Sequence, residues 1–162
     1  MRAAFVVAGA IAACAPSDVD IRTAKSAIYN GNAEQIFQMA EQGAMDENYK
    51  IGPVDEGHLM FETEGHFYSA TGDRQSEGAE GYVKVDNHSV KVSFIVTIQQ
   101  LARDQFTIQV KPRTWQYIAG SPQMRELEVG DPSLPPWVLG RADHLSLAIY
   151  DRTKSFQVAA PH

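Results

Sequence analysis

Ser89-Val90-Lys91-Val92-Ser93-Phe94-Ile95-Val96-Thr97-Ile98 decides the fold. Val90, Val92, Phe94, Val96 and Ile98 alternate with Ser89, Lys91, Ser93, Ile95 and Thr97, so one face is wholly apolar and the other mostly polar. Successive side chains of an extended chain point to opposite faces, and this period of two predicts a half-buried strand. A sheet with one covered and one wetted face is antiparallel by preference. Downstream, Leu101 to Asp104 reads as a turn, and Phe106, Ile108 and Val110 alternate with Thr107, Gln109 and Lys111. Pro112 is expected to interrupt that ladder, with Trp115, Tyr117 and Ile118 resuming it beyond a bulge. Upstream, Asp86 to Ser89 has the residues of a hairpin turn after a strand at Gly81 to Val85, and Thr71 to Gly81 reads as an exposed loop. A further strand is expected from His58 to Phe67, its alternation broken at Gly65.

The flanks change period. Ser17-Asp18-Val19-Asp20 resembles a capping box, and Val19, Ile21, Ala24, Ala27 and Ile28 follow at helical spacing. Asn30-Gly31-Asn32 stops that helix, and Asn32 is placed to cap a second carrying Ile36, Phe37, Met39, Ala40 and Ala44, with Gly43 read as its stop. The pair resembles the helical part of one ankyrin repeat, but a single copy cannot form a solenoid. Ser121 to Pro136 reads as a long connection, after which Pro135-Pro136 and the spacing of Leu145, Ala148, Ile149 and Arg152 predict a C-terminal helix. The predicted class is α+β: a single antiparallel β-sheet, a meander, with N-terminal helices and a C-terminal helix packed on one face. In element order this resembles both the cystatin-like cone of the nuclear-transport-factor superfamily and the helix-covered sheet of TATA-binding-protein-like modules. Residues 18–156 are expected to form one domain, with 157–162 a flexible tail.

Residues 1–13 read differently. Met1-Arg2 supplies a positive charge, and Ala3 to Ala13 carry no charged side chain. As a helix this run would reach only roughly 20 Å, short of the ~30 Å hydrocarbon core, so it reads as a removed signal peptide. Ile11-Ala12-Ala13-Cys14 closes the run on the only cysteine of the chain, and this resembles the lipobox of bacterial lipoproteins. Ala13-Cys14-Ala15 also fits ordinary secretory cleavage, but that cut would leave Pro16 first. The resemblance implies lipid attachment at Cys14 by three acyl chains, each buried methylene contributing about 0.8 kcal/mol to membrane binding. Ala15 in place of an inner-membrane aspartate implies an outer-membrane location facing the periplasm. Residues 14–17 would then be the lipidated cysteine and a very short tether.

The remaining composition narrows the chemistry. Losing Arg2 from 14 basic residues, against 20 acidic, leaves a net charge near −7 with no basic stripe, which argues against nucleic acid as a partner. No phosphate-cradling loop ending in Gly-Lys and no Gly-x-Ser-x-Gly elbow occurs. Asp86-Asn87-His88-Ser89 holds triad residue types, but four consecutive turn residues cannot align nucleophile, base and orienter. Asp73, Glu77 and Glu80 lack calcium-loop spacing. His58, Glu62 and His66 fall on one face of an uninterrupted strand and are the candidate metal ligands. Glu62/Glu64 and Glu126/Glu128 are paired carboxylates of the kind common on exposed strands. Trp115, Tyr117 and Trp137 are the candidate lining of an apolar ligand cavity, with Tyr150 beside them. No cofactor is expected. The leading expectation is a lipid-anchored, non-catalytic binding or assembly module that meets the membrane through its anchor and other envelope proteins through its fold. The alternatives are a small metal-assisted hydrolase using His58, Glu62 and His66, and a small-ligand carrier.

Overall fold

The computed structural model describes residues 17–75, 85–121 and 123–158. In chain order these form α1 (Asp18–Ser26), β1 (Tyr29–Asn30), α2 (Ala33–Asp46), β2 (Ile51–Asp55), β3 (Met60–Thr63), β4 (His66–Tyr68), β5 (Val90–Ala102), β6 (Gln105–Gln116), β7 (Arg125–Leu127) and α3 (Pro136–Thr153). Short 3-10 turns occur at Glu56–His58 and Lys154–Phe156. The expected signal segment, Cys14 and most of the expected tether, residues 81–84 of the expected strand at Gly81 to Val85, and residues 159–162 lie outside the described residues.

The architecture is α+β, built on the decisive stretch. β5 and β6 pair antiparallel from Val90↔Gln116 to Ala102↔Gln105, and only Arg103-Asp104 separates them. The turn is thus tighter than Leu101 to Asp104, and Asp104 takes the left-handed conformation it needs. Val90, Val92, Phe94 and Val96 are at most 1% exposed, as their alternation predicts. β3 and then β4 pair along the other edge of β5, β2 pairs with β3, and β1 and β7 both pair with β6. From β2 to β7 the sheet is a meander. β1 departs from it by crossing to the far side of β6, where Tyr29 sits opposite Phe106.

Two irregularities fall at the level of Phe94. Between Glu62↔Ile95 and His66↔Val92 the outer strand advances four residues while β5 advances three, a one-residue bulge at Glu64-Gly65. The Phe94 N–H, left without a ladder carbonyl there, donates to Thr63 Oγ1 at 3.0 Å. That N–H points away from β6, so Phe94 and Pro112 form a non-hydrogen-bonded pair and the imino nitrogen of Pro112 faces outward. β1 covers β6 at Gln105–Phe106 and β7 at Thr114–Gln116, so Pro112 lies in the gap between them. The expected interruption at Pro112 does not occur, because the hydrogen-bond donor that proline lacks is not called for. Thr63→Val, close in shape but without the acceptor, is expected to cost about 1–3 kcal/mol. Urea unfolding checks this, and an unchanged midpoint would show that Phe94 finds another acceptor.

The helices form for the reasons their ends suggest. Ser17 Oγ accepts from the Asp20 N–H at 3.2 Å, Asn32 Oδ1 accepts from the Gln35 N–H at 3.1 Å, and Pro136 opens α3. Gly43 is not a stop: α2 continues through it to Asp46. A Cβ at Gly43 would lie 2.7 Å from the Ile149 Cα, so its role is the close approach of α2 to α3. Asp46–Arg152 ties the same two helices, and Lys25–Asp143 ties α1 to α3. Ile36, Phe37, Ala40 and Ala44 of α2 and Val138, Ala142, Leu145 and Ile149 of α3 join the Val90–Ile98 face in one core. The connection after Ser121 contains β7, a strand too short to show a period. Gln157 bridges to Tyr29 and the Val158 N–H donates to the Ile28 carbonyl, so the first two residues of the expected tail are held on the sheet.

Candidate functional site

The bulge at Glu64-Gly65 decides the fate of the candidate metal ligands. A one-residue slip reverses every later side chain, so Glu62, opposite Ile95, lies on the open face, whereas His66, opposite Val92, lies toward the helices. His58 precedes the strand, in the 3-10 turn. Its Nδ1 lies 2.7 Å from Asp55 Oδ2, and its N–H donates to Asp55 Oδ1 at 3.1 Å. The hydrogen bond from His58 is the main cause that holds the Asp55 carboxyl below its ordinary range. His66 has the Arg74 guanidinium within 3.2 Å of its ring nitrogens. His58, Glu62 and His66 are therefore not brought together, and among the described residues no three His, Cys, Asp or Glu side chains form a group that could hold a metal. Asp73, from the acidic loop, accepts from Thr71 Oγ1 at 2.8 Å; Glu77 and Glu80 lie outside the described residues.

Two of the singled-out carboxylates do meet, through a residue the sequence did not single out. Glu62 accepts from Ser93 Oγ at 2.5 Å and pairs with Arg113 at 3.4 Å, while Arg113 also reaches Glu126 at 3.5 Å. The Arg113 guanidinium stands 4.8 Å over the Trp115 ring. Register could have shown this, because Arg113 is opposite Ser93 and Trp115 is opposite both Lys91 and Glu126. The cluster laces the wetter face of the sheet together, and exposed pairs of this kind contribute at most about 1 kcal/mol each.

Nor do the candidate cavity aromatics converge. Trp115 is on the open face, and the Tyr117 backbone N–H donates to the Ser89 carbonyl beyond the end of β6. Trp137 is in the first turn of α3, on the helical side. Its ring is 5.3 Å from that of Tyr68, its Nε1–H donates to the Ala70 carbonyl at 3.1 Å, and its face covers Gly72. Arg141 stacks 4.5 Å over Tyr68 and donates to the Gly72 carbonyl at 2.9 Å, pinning the loop at Ala70–Gly72 to the helix. A groove of about 470 Å³ opens beside this assembly, between Tyr49, Trp137, Arg141 and His144. Burial, the largest cause, and the neighbouring Tyr68 push the Tyr49 hydroxyl up to about 12. It is thus a neutral hydrogen-bonding group at physiological pH and not a general base. Tyr150, the other aromatic of interest, donates to Gln157 Oε1 at 2.7 Å.

A larger groove, of about 700 Å³, runs along α2 from Asn32 to Glu41 and is closed on its other side by Val54, Glu56 and Leu59. Two stretches, residues 32–41 and 54–59, contribute to it, and neither carries a motif that announces it. Among the described residues no helix is long and apolar enough to cross a membrane. Comparison with known proteins gives neither a matching family model nor a similar curated protein.

Proposed function

We propose that the chain is a lipid-anchored protein of the bacterial cell envelope whose α+β domain is a non-catalytic binding or assembly module, facing the periplasm from the outer membrane. The observation that carries the anchor is Ile11-Ala12-Ala13-Cys14, the only cysteine directly after an uncharged run of signal length. The domain supports the binding role: its candidate acid–base and ligand side chains are engaged in a turn cap, a cross-strand ion-pair cluster and a stacked arginine, while the larger of the two grooves described lies along α2. Because α1 begins at Asp18, only a few residues after Cys14, the tether spans about 14 Å at most and the domain works close to the bilayer.

Labelled palmitate supplied to bacteria expressing the full chain tests this. Label is expected on the wild type and none on Cys14→Ser, with the wild-type mature chain beginning at Cys14 by mass spectrometry. An unlabelled wild type, or an N-terminus elsewhere, would remove the anchor.

A further inference from the structure

The groove along α2 has an apolar floor and an acidic rim. Val54, 44% exposed, and half-buried Leu59 form the floor above the buried core residue Phe37, and Glu34, Glu41 and Glu56 stand around it. Lysine and arginine are absent from its lining, and among the described residues no ion pair takes up any of the three carboxylates. Glu34 is in the first turn of α2, where a negative charge suits the helix dipole. Glu41 and Glu56 have no such reason. Burial first, and then the charge of Glu56, hold the Glu41 carboxyl above its ordinary range. A carboxylate raised in this way opposes folding at neutral pH, and the opposition is relieved as pH falls through its folded value toward the unfolded one. The fold therefore bears like charges beside exposed apolar surface without a countercharge of its own.

We propose that this groove receives a basic amphipathic helical segment of a partner protein, with its apolar side chains on Val54 and Leu59 and its lysines or arginines paired with Glu34, Glu41 and Glu56. The proposal rests on the binding-module reading and names the partner's chemistry. Charge complementarity selects a cation, and the apolar floor selects a ligand with an apolar face. Length favours a segment over a small amine, since Asn32 to Glu41 spans about 14 Å of helix, or between two and three turns. The edge strand beside the groove is poorly suited to taking another strand. Pro53 lacks an N–H, and the register of β2 shifts between Ile51 and Val54. Side-chain docking of a helix remains as the mode.

The test uses the full chain in phosphatidylcholine nanodiscs and a fluorescent peptide of about 14 residues, with leucines at i, i+3, i+4 and i+7 and lysines elsewhere. Anisotropy is expected to report one saturable site, weakened about tenfold or more in Glu34→Gln/Glu41→Gln/Glu56→Gln. Val54→Asn, which removes apolar surface without adding charge, should weaken it as well, and unchanged affinity there overturns the apolar half of the proposal. A control with the same charge change elsewhere, Asp18→Asn/Asp104→Asn/Glu128→Gln, should bind within about twofold of wild type. The groove variant should keep or raise its thermal midpoint, which separates lost binding from lost folding. Equal weakening in both triple variants, or none in the groove variant, overturns the proposal. Full displacement by spermine at the peptide's own concentration also overturns it, by assigning the groove to a small polyamine. The binding-module reading fails in a different way, through the absence of any partner crosslinked from around the domain in intact cells.

Discussion

Gly43→Leu is expected to destabilise the domain by about 4 kcal/mol or more, a large fraction of the roughly 5–15 kcal/mol that holds a typical domain folded. A Cβ alone would approach the Ile149 Cα to 2.7 Å, the Ala148 carbonyl oxygen to 3.0 Å and the Ile149 nitrogen to 3.1 Å. These are backbone atoms of α3 and cannot rotate aside, so the helices must separate and lift Leu145 and Ile149 from the core. Gly43→Ala gives a test of sign. In an exposed helix, alanine is about 1 kcal/mol better than glycine; at Gly43 overpacking should reverse this to a net loss of about 1–2 kcal/mol. Gly140 in α3 is the internal comparison: a Cβ there meets nothing within 4 Å, and Gly140→Ala should stabilise by about 1 kcal/mol. Thermal unfolding of the two alanine variants settles the point. A raised midpoint for Gly43→Ala as well as Gly140→Ala would mean that α2 and α3 are not in close contact.

Gly43 also marks where reading the sequence ends. A glycine near the end of an apolar stripe reads as a helix stop, because conformational freedom is a local property visible in the neighbouring residues. Close approach is not local: its cause is Ile149, far along the chain. The same division runs through the fold. Alternation from Val90 to Ile98, the caps at Ser17 and Asn32 and the proline start of α3 were legible because each is written within a few residues. β1 and β7 are too short to carry a period, and β1 finds its partner only across the sheet. Gly65 signals a break, yet the face on which His66 emerges depends on the register with β5. Pro112 argues locally against a ladder, and only the gap between β1 and β7 admits it. Of the candidate cavity residues, Trp137 lines a groove on the helical side that Trp115 and Tyr117 do not share. The acidic groove was not legible, because its rim joins a helix to a 3-10 turn whose packing together no local pattern shows.

Phe94→Ala should produce the second large effect, a loss of about 4 kcal/mol and roughly 10 °C in thermal midpoint. Phe94 is 0% exposed at the middle of β5, and its ring meets Tyr49 edge-on, with centroids 5.2 Å apart. Truncation would leave a cavity under the helices at the level where the ladder already relies on Thr63. Phe94→Leu keeps much of the volume and should recover more than half of the loss. Equal midpoints for the alanine and leucine variants would show that the site collapses around the smaller side chain.

The two-residue connection at Arg103-Asp104 has a consequence for how the chain reaches its native state. Joining β5 to β6 closes the shortest loop in the sheet, so it carries the smallest entropic cost. Tyr29 must instead find Phe106, and Gly43 of α2 must find Ile149 of α3, each across many tens of residues. The central hairpin can exist before these distant partners arrive and offers them an apolar face on which to land. Loop-closure entropy thus favours assembly from the centre of the sheet outward, with its edges and helices added afterwards.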